Sequence, residues 1–225
     1  MTRVEAVVFD VGETLVDETR QWAWWAERLG VPVFTLMGVL GGVIERGEHH
    51  RRVFEILRPD ADIAALERRR NDGDERFALG LEDLYPDALP CLSRLRTAGY
   101  RLGIAGNQPE RTEAAIEAMG VELEMIASSA RWGVEKPSPA FFARVAAELG
   151  LAPGAIAYVG DRVDNDVLPA AEAGMLPVFL RRGPWAFLQE TRAILPPNTI
   201  TIASLGELPE AILRTDAPPA QEIAR

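Results

Sequence analysis

Apolar residues in this chain fall in short runs, separated by polar turns and stretches of helical spacing. The first run, residues 4–9 (VEAVVF), ends in Asp10 and Gly12. It reads as a central parallel strand buried on both faces. Comparable runs recur at 101–105 (RLGIA), 125–127, 155–159 (AIAYV), 177–180 (PVFL) and 199–202. Helical patterns lie between them, at 88–98, 110–119, 139–149 and 165–173. Gly99, Gly120, Gly150 and Gly174 each stand where a helix should stop, as C-terminal caps do. Strands alternating with helices of this length imply right-handed crossovers. The expected fold class is α/β, a doubly wound parallel sheet of Rossmann-like form.

Residues 17–85 break that rhythm. They carry helical periodicity, include Trp22, Trp24 and Trp25, and offer no convincing strand. The expected organisation is a core of residues 1–16 and 86–214 with a helical insertion at 17–85. Pro86 and Pro90 mark the return to the core. Residues 215–225 are Pro/Ala-rich and polar, and read as a frayed, flexible tail. Residues 29–44 form an uncharged stretch of sixteen residues. It is shorter than the roughly 20 residues a spanning helix needs, and it contains Pro32, Gly38, Gly41 and Gly42. A buried or interface-facing helix is expected there, with no membrane role.

Composition narrows the partners. The 225 residues suffice for one α/β core and a small insertion, and a hydrophobic share of 48% is ordinary for a soluble chain. Net charge is −10 and the pI about 4.8, which argues against a nucleic-acid partner, since a phosphate backbone requires a basic footprint. Cys91 is the one cysteine, so no internal disulfide forms. With no leader evident before the first strand, a cytoplasmic location is expected. Basic residues are nearly all arginine, and Lys136 is the single lysine.

In open α/β sheets the ligand lies beyond the carboxyl ends of the strands. Those ends carry Asp10, then Gly106 and Asn107, then Lys136, then Asp161 and Asp166. Converging carboxylates repel one another and need a cation, a proton or Lys136 between them. A hard divalent ion fits best, because magnesium prefers carboxylate and carbonyl oxygens and leaves room for a phosphate.

The segments FDVGETLVD (9–17), GIAGN (103–107), EKPSPAFF (135–142) and GDRVDND (160–166) resemble the four ordered motifs of the haloacid dehalogenase-like hydrolases. The insertion resembles that family's helical cap. The resemblance implies a phosphate monoester hydrolase in which Asp10 attacks phosphorus and forms an aspartyl-phosphate. It also implies Mg²⁺ held by Asp10, the Gly12 carbonyl, Asp161 and Asp166. Lys136 would neutralise Asp10 and the transferring phosphoryl group, and Thr14 would orient the loop carrying Asp10. Thr14 reads alternatively as a turn cap, Asp166 as a helix-start carboxylate, and Asp164 more readily as a capping residue than as a ligand.

Two positions depart from the family pattern. Its phosphatases carry a second aspartate two residues after the nucleophile, which protonates the leaving oxygen and then activates water; here that residue is Gly12. The loss removes a contribution of roughly 10²–10⁴ in rate. Slow turnover, or a preference for good leaving groups, is therefore expected unless Glu13, water or a group from the cap acts instead. The second departure is Gly106, where motif two normally has Ser or Thr bonding a phosphoryl oxygen. That hydroxyl is worth on the order of 1.5–3 kcal/mol. The amides of Gly106 and Asn107, or the side chains of Asn107 and Gln108, are the expected substitutes in substrate binding.

The expected substrate is a small phosphorylated metabolite. Two other readings have their own marks. A weakly active binding or regulatory module would keep fold and metal site without turnover. A 2-haloacid dehalogenase needs no metal, which the pair Asp161 and Asp166 argues against. Phosphonate cleavage through a cap lysine has no residue to support it. In the insertion, at least one tryptophan is expected to be ordinary packing. The run His49, His50, Arg51 and Arg52 reads as a solvated helix face, or, turned inward, as a binder of anionic substrate groups. The sequence gives no sign of oligomeric state.

Overall fold

The period of two along the first strand sorts its residues between two core layers. In the computed structural model, which describes residues 3–72 and 77–216, Val7 and Phe9 join one apolar cluster, and Ala6 and Val8 join another on the opposite face. This strand, β1 (Ala6–Phe9), lies at the centre of a six-stranded sheet with β2 (Arg101–Gly106), β3 (Met125–Ser128), β4 (Ile156–Gly160), β5 (Leu176–Leu180) and β6 (Ile200–Ile202). The order is β3-β2-β1-β4-β5-β6 and every pairing is parallel. The direction of winding reverses at β1, which opens a crevice at its carboxyl end. Phe9 is level with Ile104 on one side and Val159 on the other, so Asp10 emerges beside the ends of both β2 and β4.

Seven helices flank this sheet. In chain order after the insertion they are α5 (Ala88–Thr97), α6 (Arg111–Ala118), α7 (Ser129–Trp132), α8 (Pro139–Leu149), α9 (Leu168–Glu172), α10 (Gly183–Glu190) and α11 (Leu208–Asp216). Cys91, Leu92 and Leu95 of α5 close one face of the sheet together with Ile116, Leu208 and Ile212. Phe141, Phe142, Val145 and Leu149 of α8 close the other. The glycines expected to end helices, Gly99, Gly120, Gly150 and Gly174, all have positive φ, as left-handed caps require.

One helix differs from its expected form. The pattern at 165–173 begins earlier, as a widened π turn over Val163–Val167, and only then becomes α9. The amides of Asp166 and Val167 both donate to the Arg162 carbonyl, at 2.9 and 3.2 Å. Pro169 lies in the first turn of α9 and has no amide to continue the regular ladder backward. Such widened turns recur at functional sites, and this one turns Asp166 inward.

The insertion is helical: α1 (Thr19–Arg28), α2 (Val33–Glu45), α3 (Arg52–Leu57) and α4 (Ile63–Asp72). Its entering and leaving strands of chain run side by side. The Asp17 amide donates to the Asp83 carbonyl at 2.8 Å, and the Tyr85 amide to the Leu15 carbonyl at 2.9 Å. The uncharged stretch supplies α2, whose Leu36, Leu40, Val43 and Ile44 are buried. No single helix among the described residues is long and apolar enough to cross a membrane. The pair α1 and α2 passes on composition alone and is bent by 109°. Trp22 and Trp25 pack against α2 and Phe54, while Trp24 is half-buried with the Arg28 guanidinium 4.8 Å above its ring.

A core residue completes this cluster. Trp185, in α10, is 8% exposed and packs with the insertion's apolar side chains. Removing it should cost about 3 kcal/mol, as truncations of buried aromatics do. We expect Trp185→Ala to lower the unfolding free energy obtained from urea titration by that amount; a loss below about 1 kcal/mol would show that the ring does not bind insertion to core.

Candidate active site

Four strand ends deliver the polar residues of the site. Asp10 follows β1, Gly106 ends β2, Lys136 precedes α8, and Asp161 follows β4, while Asp166 comes in on the π turn. Asp10, Lys136, Asp161 and Asp166 are each at least nine-tenths buried. The Lys136 ammonium bridges two of the carboxylates, 2.7 Å from Asp10 Oδ1 and 2.5 Å from Asp166 Oδ1. Asp166 Oδ2 accepts from the Arg162 amide at 3.0 Å, which fixes the second oxygen.

The charges of this group depend on one another. Burial alone would strip the proton from Lys136, but Asp10 and Asp166 outweigh it and hold the ammonium well above the usual lysine range. Burial and repulsion from Asp166 and Asp10 drive Asp161 well above the usual carboxylate range. Asp166 is pushed up to about 6 by burial, with Lys136 opposing and Asp10 adding to the rise. One ammonium therefore does not neutralise three carboxylates at this depth.

The arrangement fits a divalent ion. One oxygen from each of Asp10, Asp161 and Asp166 lies within 4.8 Å of the others. Asp161 Oδ2 is buried without a hydrogen-bond partner among the described residues, a costly state that a cation would relieve. An all-oxygen donor set with few protein ligands suits magnesium. Gly12 lines the same cleft beside Asp10.

Other expected residues are placed less simply. Asn107 lines the cleft and also holds its neighbour in place. Its Nδ2 donates to the Lys136 carbonyl at 2.9 Å and its Oδ1 accepts from the Lys136 amide at 2.8 Å, so it clamps the lysine's backbone. Its second Nδ2 hydrogen and its backbone amide remain for a phosphoryl group. Thr14 is fully buried and its hydroxyl has no partner among the described residues. The Thr14 carbonyl does the bracing instead, accepting from Arg182 at 3.0 Å. Asp164 is paired to Arg162 and stays at the rim. Arg182 and Tyr85, which carry no motif, hold the nucleophile loop: the guanidinium lies 4.0 Å over the Tyr85 ring and pairs with Asp87.

Both glycine departures have a spatial cause. A Cβ on Gly106 would meet Asp10 Oδ1 at 2.5 Å, so a Ser or Thr there would require the carboxylate to shift. A Cβ on Gly12 would meet Glu18 Oε1 at 2.5 Å and Glu18 Cδ at 2.9 Å. The volume expected to be vacant above Gly12 therefore holds the Glu18 carboxylate. Burial and the neighbouring Glu13 push that carboxyl up to about 7, against the opposing Trp22 donor. Glu13 itself has φ of 52° and both its oxygens are engaged. Its Oε2 accepts from the Tyr85 hydroxyl at 2.7 Å and its Oε1 from the Glu18 amide at 3.0 Å. Burial raises its pKa, with those two donors opposing. Glu18 carries no motif signal; only its helical spacing to Gln21 and Trp22 hinted at a shared face.

The insertion roofs a cleft of about 880 Å³ above these groups, lined by Trp22, His49, His50, Arg70, Arg111 and others. The run 49–52 is a turn leading into α3 rather than a helix face, and His49, Arg51 and Arg52 are solvated while His50 is half-buried. His50 faces inward between Trp22 and Trp185, and burial together with His49 lowers its pKa to about 4. Arg51 pairs with Glu67 and Arg52 with Glu55 at the surface.

Residues 4–174 match the family described as haloacid dehalogenase-like hydrolase. The chain is 34% identical over 204 residues to a glyceraldehyde 3-phosphate phosphatase of Methanopyrus kandleri, covering 80% of this chain and 85% of that one. Among solved structures, a magnesium-bound hydrolase of Bacillus subtilis is similar with a TM-score of 0.70 at 21% identity, over 94% of this chain and 99% of that one. The L-2-haloacid dehalogenase of Xanthobacter autotrophicus is similar with a TM-score of 0.66 at 20% identity, over 95% and 100%. These last two likenesses show the shared fold. If the buried carboxylates hold a divalent ion, millimolar MgCl₂ should raise the melting temperature by several degrees through mass action. Asp161→Asn should abolish that shift; a shift of equal size in the variant would place the ion elsewhere.

Proposed function

The chain belongs to the haloacid dehalogenase-like hydrolases, and on that premise we propose that it hydrolyses a small phosphate monoester through an aspartyl-phosphate formed on Asp10. The observation that carries this reading is the Lys136 ammonium held between Asp10 and Asp166, beside the unpartnered Asp161 oxygen. With Oδ1 bound to Lys136, the second oxygen of Asp10 is the nucleophile, and it attacks phosphorus while the leaving oxygen departs on the opposite side. Lys136 stabilises the negative charge gathering on the transferring group without needing to reorganise, because it is already fixed and shielded from water. Asn107 keeps it there through both backbone bonds. Magnesium, held by Asp10, Asp161 and Asp166 with the Gly12 carbonyl, would add a divalent charge against the phosphoryl oxygens.

The size of the cleft suits a phosphorylated metabolite of a few carbons, and the inward-facing arginines of its roof suit an oxygen-rich one. Glyceraldehyde 3-phosphate, named in the relative from Methanopyrus kandleri, is the first substrate to try. The carboxylate cluster speaks against dehalogenation, which has no use for an ion there. The purified protein should release inorganic phosphate from glyceraldehyde 3-phosphate with MgCl₂ and not after EDTA treatment. Asp10→Asn should reduce that release on the order of a thousandfold or more. Persistent inactivity of the folded wild type over a panel of phosphate esters would favour a binding module instead.

A further inference from the structure

A phosphate ester of an ordinary alcohol leaves as an alkoxide unless a proton reaches it, and the second half-reaction needs a group to take a proton from water. Gly12 has no side chain to do either. Glu18 precedes α1 as its N-terminal capping residue, but its carboxylate makes no capping bond to that helix. It folds back over Gly12 and lines the cleft. Two neutral donors aim it there: Trp22 Nε1 donates to Oε2 and Gln21 Nε2 to Oε1, each at 3.2 Å. Its backbone amide is tied to Glu13, which is tied in turn to Tyr85.

Most of the other carboxylates lining the cleft beyond the ion cradle are engaged: Asp17 accepts from the Thr19 amide at 2.8 Å, while Glu135, beside Lys136, is exposed. Glu67 is paired with Arg51, Asp83 with Arg20, and Asp164 with Arg162. Glu13 is held by Tyr85 and the Glu18 amide. Among the described residues no arginine or lysine forms an ion pair with Glu18. Of the cleft's carboxyls outside the cradle, it is the one that stands against the residue two positions beyond the nucleophile.

We infer that Glu18, a residue of the cap, protonates the leaving oxygen and then accepts a proton from the attacking water. The inference rests on the phosphatase reading above. In the first step Asp10 bonds to phosphorus, the bond from phosphorus to the ester oxygen breaks, and that oxygen takes the Glu18 proton to leave as an alcohol. In the second step water adds to phosphorus as Glu18 takes its proton, and the bond to Asp10 breaks. Phosphate departs, Asp10 is again a carboxylate and Glu18 is again protonated.

The test compares glycerol 3-phosphate, with a poor leaving group, and p-nitrophenyl phosphate, with a good one. Glu18→Gln keeps the side chain's size and one acceptor oxygen, for either Trp22 or Gln21. Its kcat/KM should fall on the order of a hundredfold or more for the alkyl ester and by less than about tenfold for the aryl ester. Glu18→Ala should behave alike, and Gly12→Asp added to it should recover at least about tenfold on the alkyl ester, since the new side chain enters the vacated volume. Melting temperatures of each variant check the fold. An equal loss on both esters, no loss, or no recovery in the double variant would overturn the role of Glu18. If the wild type releases phosphate from neither ester, the phosphatase reading falls, and this role with it.

Discussion

Everything in the cleft depends on one buried ammonium. Lys136 sits between two carboxylates at hydrogen-bonding distance, in a place where burial alone would neutralise it. Pairs of this kind recover their desolvation cost only when the geometry is close and the remaining polar atoms are satisfied. Here they are nearly so. Asn107 fixes the lysine's backbone, the Arg162 amide satisfies Asp166, and one oxygen of Asp161 is the conspicuous exception. The same balance that stabilises Lys136 leaves net negative charge, and that surplus is what makes the site a place for a cation.

The surrounding structure answers to that centre. Gly106 has no Cβ because Asp10 must lean against it to reach Lys136. The widened turn before α9 exists where Asp166 has to point inward. The nucleophile loop is braced from two directions, by Arg182 on the Thr14 carbonyl and by Tyr85 on Glu13. That second brace runs on through the Glu18 amide into α1, so the loop holding the nucleophile and the first helix of the cap are mechanically one piece. Trp185 fastens the cap from the other side.

Much of this was legible in the sequence, for reasons that differ by residue. The strands were readable because a sheet covered on both faces demands continuous apolar runs, and the glycine caps because only glycine accepts their φ without strain. Asp10, Lys136, Asp161 and Asp166 were readable because strand ends converge in a doubly wound sheet. What sequence could not show was the direction of side chains across the cap boundary. Asn107 looked like a ligand donor, and its bonds to the Lys136 backbone make it a clamp as well. His50 looked solvated and is wedged between two tryptophans. The empty position at Gly12 looked like a missing catalyst, and the slow turnover expected from it followed. The structure fills that volume from a residue six positions further on, and such through-space substitution leaves no local motif.

The most direct test of the central claim is mass spectrometry of protein quenched in acid during turnover of glyceraldehyde 3-phosphate with magnesium. A covalent nucleophile predicts a phosphoryl adduct on the peptide containing Asp10, absent from Asp10→Asn and absent without the ion. Phosphate release with no adduct on that peptide, or an adduct on another residue, would contradict it.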